Sequence, residues 1–91
     1  MLFNVLEEDF IPILHGHYAS QAIAEEAMAR TTPYRGGKLY IAVQFTTPFT
    51  APDPDDVGRW ISDAENDAWR AKTEADRDWF TRLAKSYETL L

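Results

Sequence analysis

The residues after Pro52 constrain the fold most, because almost all of them fit one helical pattern. Asp53-Pro54-Asp55-Asp56 begins the pattern with a capping carboxylate, a proline in the first turn and two acids near the positive helix end. Small and apolar residues then recur every three or four positions to the C-terminus. One unbroken helix of this length would span about 55 Å, which is too long for one small core.

A second helix start divides this run. Thr73 followed by Asp76 is similar to a capping box, in which side chain and backbone satisfy each other at the beginning of a helix. The apolar stripe that begins at Val57 is also rotated relative to the stripe that begins at Trp79. These observations favour a break near Lys72 and two helices, and one curved helix is the alternative.

The first 49 residues are more apolar and favour strands. Two short apolar runs, residues 2–6 and 10–14, are separated by the acidic residues 7–9. This pattern predicts two strands joined by an acidic turn, or one strand with a bulge. Pro12 favours an edge position for the second run, because proline cannot donate to a neighbouring strand.

A short helix and a further strand are predicted next. Ser20 can accept a hydrogen bond at the helix start, and apolar residues at helical spacing continue to about Arg30. Pro33 and the Gly36-Gly37 pair break this helix, and regular alternation over residues 38–46 predicts the clearest strand of the chain. A strand, a helix and a strand in succession suggest a right-handed βαβ crossover, with the two strands parallel and either side by side or one strand apart.

The predicted fold class is therefore α+β: a small sheet of about three strands with a short crossover helix, then an acidic C-terminal helical segment of one helix or two. We expect a single domain over residues 1–91, with a β-rich half at 1–49 and a helical half at 53–91, because so short a chain buries too little surface for two cores. The chain has no cysteine, no basic and apolar leader and no long apolar run, which favours a cytoplasmic protein.

The charge of the chain narrows the classes of partner. Nine Lys and Arg against fifteen Asp and Glu give a formal net charge of -6, which opposes binding to bare nucleic acid or anionic lipid. We therefore expect no direct nucleic-acid or membrane binding, and a protein with a basic surface as partner. Solubility alone is the alternative explanation for a charge of this size.

The sequence lacks a recognisable catalytic constellation. His15 and His17 would face the same way on a strand and could share a metal ion, but a third ligand from residues 7–9 would match no standard motif. Two histidines in a turn near the helix start are therefore the expected arrangement. Asp63 and Asp67 alternate with Glu65, so these carboxylates point in different directions on a helix. The sequence predicts a non-enzymatic protein with no cofactor and no metal site.

Trp69 is the strongest candidate for a contact residue. The three tryptophans of the helical half cannot all face one core, because on a single helix Trp69 falls about 120° from the centre of the small-residue stripe. Its charged neighbours Asp67 and Arg70 are typical of an interface hot spot. The alternative is that Trp69 packs against Phe80 or under the sheet. The predicted partner-binding residues are Asp55, Asp56, Asp63, Glu65, Asp67, Trp69, Glu74, Asp76 and Asp78.

In size, charge and layout, this acidic chain with a βαβ-like unit and acidic helices resembles the small phage-encoded anti-defence proteins, anti-CRISPR proteins among them. The stretch from Asp53 to Asp78 carries nine carboxylates against four bases, a spacing compatible with mimicry of a phosphate backbone. The resemblance implies a stoichiometric inhibitor, a DNA mimic whose acidic helical face docks into a basic nucleic-acid-binding groove of a host protein complex.

Assembly is the alternative function. A homo-oligomeric structural protein, with a homodimer as its simplest form, would pack through the aromatic stripe of the last helix, which consists of Trp79, Phe80, Leu83 and Tyr87. A third interpretation is a metal-dependent enzyme centred on His15 and His17.

Overall fold

The computed structural model describes residues 1–47 and 49–91. The chain divides into two compact units, Met1–Ala51 and Pro52–Leu91, called the β unit and the helical unit below. The division falls where the sequence changes from strand-forming to helix-forming residues. The content of strands and helices confirms the predicted α+β class. The expectation of one domain for the whole chain stays a prediction.

The β unit contains a sheet of three strands, β1 (Leu2–Glu7), β2 (Ile13–Tyr18) and β3 (Leu39–Gln44), in the order β2-β1-β3. β1 is antiparallel to both neighbours, so β2 and β3 run in the same direction. Helix α1 (Gln21–Arg30) connects them and lies against the sheet. The expected crossover between parallel strands one strand apart is therefore confirmed.

Helix α1 begins and ends where the local sequence requires. The Ser20 hydroxyl accepts a hydrogen bond from the backbone N–H of Ile23 at 3.2 Å, as expected for an N-cap. Ala24 and Ala27 are buried, and their small side chains suit close packing against the sheet. At the other end the Thr31 hydroxyl donates to the carbonyl of Ala27 at 2.7 Å.

The first hairpin differs from its prediction in the bounds of the second strand, which was expected over residues 10–14 and spans Ile13–Tyr18. β2 begins after Pro12 and continues to Tyr18, so both histidines lie in a strand and the prediction of a turn at His15 and His17 is wrong. Glu7 is the buried last residue of β1 rather than part of an acidic turn. β2 is an edge strand, which agrees with the interpretation of Pro12.

The helical unit is a hairpin of α2 (Pro54–Arg70) and α3 (Glu74–Tyr87), followed by one turn of 3-10 helix. The Asp53 carboxylate accepts from the backbone N–H of Asp55 at 2.8 Å, and the Thr73 hydroxyl accepts from that of Asp76 at 3.1 Å. The break near Lys72 is therefore confirmed, and the alternative of one curved helix is wrong. No helix among the described residues has both the length and the apolar character needed to cross a membrane.

Candidate functional site

Trp69 lies on the last turn of α2 with 87% of its surface exposed. Trp79 is only 4% exposed, and the ring of Trp60 lies 5.6 Å from that of Tyr87, centroid to centroid. The three tryptophans therefore do not share one core, and the alternative in which Trp69 packs inside the protein is wrong. An exposed indole of this size provides a large apolar surface for contact.

Trp69 forms part of an open groove between α2 and α3. Glu65 and Trp69 are four residues apart and therefore neighbours on one side of α2. The side chain of Arg77 on α3 donates to the carbonyl of Ala71 at 3.4 Å, which holds its guanidinium near the end of α2. The groove, called the Trp69 groove below, has a volume of about 630 Å³ and is lined by Glu65, Ala68, Trp69, Arg77 and Thr81.

The carboxylates of α2 lie on two flanks rather than on one face. Residues two positions apart on a helix differ by about 200° in direction, so Glu65 points away from Asp63 and Asp67. Of these three residues, Glu65 lines the Trp69 groove. These directions agree with those expected from the sequence, and of the three carboxylates Glu65 is the one beside Trp69 in the groove.

Several of the predicted contact acids are paired within their own helices. Asp56 pairs with Arg59, and Asp67 pairs with Arg70 at 3.3 Å. Exposed pairs of this kind contribute about 0–1 kcal/mol, and they also reduce the local negative charge. Asp78 pairs with Arg82 at 2.8 Å.

The other predicted acids differ in exposure. Asp76 is half-buried at the start of α3, where its backbone joins the helix cap. The remaining four are exposed, and no ion pair joins them to another residue within 1–47 or 49–91. They are Asp55, Asp63, Glu65 and Glu74.

The aromatic stripe predicted for contact with a second copy is largely covered. Trp79 and Tyr87 are buried, while Phe80 and Leu83 are half-buried. The guanidinium of Arg82 lies 5.7 Å from the centroid of the Trp79 ring. Trp79 and Tyr87 therefore have almost no surface left for an interface on α3.

A second polar site surrounds Glu7, one of the residues 7–9 that the sequence offered as a third ligand beside His15 and His17. The Glu7 side chain is fully buried. Its Oε1 accepts from His15 Nε2 at 2.8 Å and from the backbone N–H of Tyr34 at 2.7 Å. Its Oε2 accepts from the backbone N–H groups of Arg35 at 2.8 Å and Gly37 at 3.1 Å. Both oxygens thus join β1 to the segment between α1 and β3.

The hydrogen bonds around Glu7 keep it ionised. Burial acts to raise the pKa of this carboxyl group, because a charge is poorly solvated inside a protein. The hydrogen bonds from His15 and from the backbone N–H groups of Arg35, Gly37 and Tyr34 outweigh this effect and lower the pKa from 4.5 to about 2. With two donors on each oxygen, Glu7 stabilises the fold and has little capacity left for proton transfer.

Glycine is required where the chain approaches this carboxylate. A Cβ atom at Gly37 would collide with the backbone carbonyl of Glu8 and lie 2.9 Å from Glu7 Cγ. Gly36 has φ of 71°, in the left-handed region that favours glycine. The Gly36-Gly37 pair, interpreted from sequence as a helix breaker, therefore also allows the chain to reach Glu7.

The two histidines point to opposite faces of the sheet. The pairing of β1 with β2 shifts register at His15, which leaves this residue without a counterpart and forms a bulge. His15 therefore bonds to Glu7, whereas His17 Nδ1 bonds to Asn4 Oδ1 at 2.6 Å. Glu7 and Asn4 are three positions apart on one strand and face opposite sides. Within residues 1–47 and 49–91, no three acidic or histidine side chains are grouped to hold a metal ion.

No protein-family model matches the sequence, and comparisons with curated proteins and with solved structures give no match. The resemblance to phage anti-defence proteins therefore stays a prediction.

Proposed function

We propose that this chain is a non-enzymatic protein-binding module whose Trp69 groove binds an arginine-bearing segment on the basic surface of a partner protein. The exposure of Trp69 carries this proposal, because 87% of the surface of this residue is exposed where it lines a groove. Truncation of a tryptophan in such a position typically costs at least about 2 kcal/mol of binding free energy.

On the α2 side of the groove, Trp69 and Glu65 favour a guanidinium group, whereas Arg77 lines the groove from α3. An arginine can stack on the face of an indole, which contributes about 0.5–1 kcal/mol at an exposed site and about 2 kcal/mol or more when water is excluded. Glu65 lies one turn before Trp69 and makes no ion pair with another described residue, so its carboxylate can accept from the same guanidinium. The net charge of -6 would also accelerate association with a basic surface.

The finer form of the proposal concerns inhibition. A partner that binds nucleic acid through a basic groove would offer arginine side chains to Trp69 and further cations to Asp55, Asp63 and Glu74. The bound chain would then exclude nucleic acid from that groove, as the resemblance to phage-encoded anti-defence inhibitors implies. This form depends on the acids that remain unpaired, since Asp56, Asp67 and Asp78 already have arginine partners.

Titration with a tetra-arginine peptide tests the site directly, followed through the indole N–H signals in NMR spectra. We expect the Trp69 signal to shift and the Trp79 signal to stay in place. Trp69→Ala and Glu65→Gln should each weaken binding at least about fivefold, and salt should weaken it steeply. Asp56→Asn is the matched control, because Asp56 is paired with Arg59 and does not line the groove. If Asp56→Asn weakened peptide binding equally, the Trp69 groove would not be a specific binding site.

The inhibitor form requires a separate competition experiment. The chain and its Trp69→Ala variant are immobilised and exposed to an extract of the host cells in which the chain is expressed. We expect the wild type to capture a nucleic-acid-binding protein, a DNA or RNA oligonucleotide to release it, and the variant not to retain it. A captured partner that binds nucleic acid and this chain at the same time would refute the inhibitor form and leave the groove intact.

A further inference from the structure

The two edges of the sheet differ in how they are protected against pairing with another strand. β2 begins directly after Pro12 and carries the bulge at His15, and both features discourage a further strand from adding to that edge. β3 pairs with β1 in an uninterrupted register. Its residues, Leu-Tyr-Ile-Ala-Val-Gln, include no charge, no proline and no glycine. Such a strand at an edge readily accepts another strand.

The backbone groups that face this open edge can be identified. The backbone N–H of Glu8 donates to the carbonyl of Lys38 at 2.8 Å, so Lys38 forms a hydrogen-bonded pair with β1. Because such pairs alternate in an antiparallel ladder, Tyr40, Ala42 and Gln44 also direct their backbone groups to β1. Leu39, Ile41 and Val43 then direct theirs outward, and no backbone group within residues 1–47 or 49–91 bonds to them from that side.

We propose that the open edge of β3 pairs antiparallel with β3 of a second copy of this chain, which makes one continuous sheet of six strands. The proposal is independent of the Trp69 groove, and it replaces the covered aromatic stripe of α3 as the surface for self-association. A two-fold axis is compatible with this edge, because antiparallel pairing of a strand with itself makes the same contacts on both copies.

Exposed apolar side chains at the end of β3 favour a second copy as the occupant. Val43 and Phe45 are 47% and 76% exposed, while Leu39 and Ile41 at the other end are half-buried. Leu39, Ile41 and Val43 lie on the same face of the sheet, and Phe45 follows one residue after the end of β3. A register centred on Ala42 places Val43 opposite Ile41 of the second copy, so that this exposed side chain gains an apolar neighbour across the interface. Continuation of the pairing by one residue beyond β3 would place Phe45 opposite Leu39.

Removal of an outward donor tests the pairing. Val43→Pro deletes a backbone N–H that faces the open edge and leaves the bonds between β3 and β1 in place. We expect sedimentation equilibrium to show a dimer for the wild type and a dissociation constant at least about tenfold higher for this variant. Val43→Ile is the matched control, because isoleucine keeps the N–H and an apolar, branched side chain. A wild type that is monomeric at all concentrations would overturn the proposal in favour of a strand from another protein.

A cross-link tests the register without weakening the edge. The chain has no cysteine, so Ala42→Cys introduces a single thiol per copy. In the centred register the two introduced thiols form a non-hydrogen-bonded pair with Cα atoms about 4.5 Å apart, which suits a disulfide. We expect covalent dimers under mild oxidation for Ala42→Cys and few for Gln44→Cys, whose counterpart would be Tyr40. Equal cross-linking at both positions, or none at either, would overturn this register.

Discussion

Glu7 and Glu65 have the same side chain, but one carboxylate is buried and the other is exposed. The carboxylate of Glu7 is buried in the β unit, where four donors converge on it. The carboxylate of Glu65 is exposed on α2 beside Trp69 and makes no ion pair with another described residue. Formal charge does not distinguish the two acids. The number of hydrogen-bond donors around each carboxylate distinguishes them. The acceptor sites of Glu7 are all occupied, so this acid holds the chain together. Glu65 has no ion-pair partner in the part of the chain that the structure describes and is available for binding.

Replacement of Glu7 is expected to have the largest effect on stability. Glu7→Gln keeps the shape but turns an NH₂ group toward backbone N–H donors, which leaves buried donors without acceptors. We expect the midpoint of thermal unfolding of the β unit to fall by roughly 10 °C or more. Circular dichroism or the dispersion of amide signals in NMR spectra measures this change. Glu8→Gln is the control at an exposed neighbour, and an equal effect of the two substitutions would show that burial of Glu7 is unimportant.

Low pH is expected to destabilise the β unit through Glu7. Because the folded-state pKa of Glu7 is about 2 and its ordinary value is 4.5, the stability that it contributes is fully present above pH 4.5 and is lost as the pH falls toward 2. Burial lowers the pKa of His17 below 6.5, so protonation of the unfolded chain already reduces stability somewhat below that pH. We expect thermal midpoints to decline in these two stages, and carboxyl ¹³C shifts to report the titration of Glu7. Titration of Glu7 near 4.5 would contradict the assignment.

The smallest effects on stability are expected for the exposed residues Trp69 and Glu65. Trp69→Ala and Glu65→Gln should each change the free energy of unfolding by less than about 0.5 kcal/mol, because neither side chain is buried. Trp79→Ala is the reference for a buried tryptophan and should cost about 3–5 kcal/mol. Chemical denaturation of the three variants separates these values. A loss for Trp69→Ala close to that for Trp79→Ala would mean that Trp69 supports the fold.

The features that sequence predicted correctly depend on neighbours close in the chain. The start of α2 at Pro54, the start of α3 after Thr73 and the cap at Ser20 each involve residues two or three positions apart. The exposure of Trp69 followed from helical periodicity in the same way. Such signals are visible in a single sequence because the atoms that interact are encoded side by side.

The features that sequence reasoning missed depend on distant or irregular contacts. The backbone donors to Glu7 come from residues 27 to 30 positions later, and backbone groups leave no mark in a sequence. The bulge at His15 breaks the alternation from which strand faces are read. One available signal was the phase of Glu7, which follows Val5 by two positions and therefore shares the face of a fully buried residue.

The strand order affects how the sheet forms while the protein is synthesised on the ribosome. β1 is made first, yet it is the middle strand and both of its neighbours are made later. It can pair with β2 only after Tyr18 has emerged, and it stays open on its other side until Gln44 has followed. During that interval the nascent chain presents an unpaired central strand, and Glu7 at its end stays in water until Gly37 arrives.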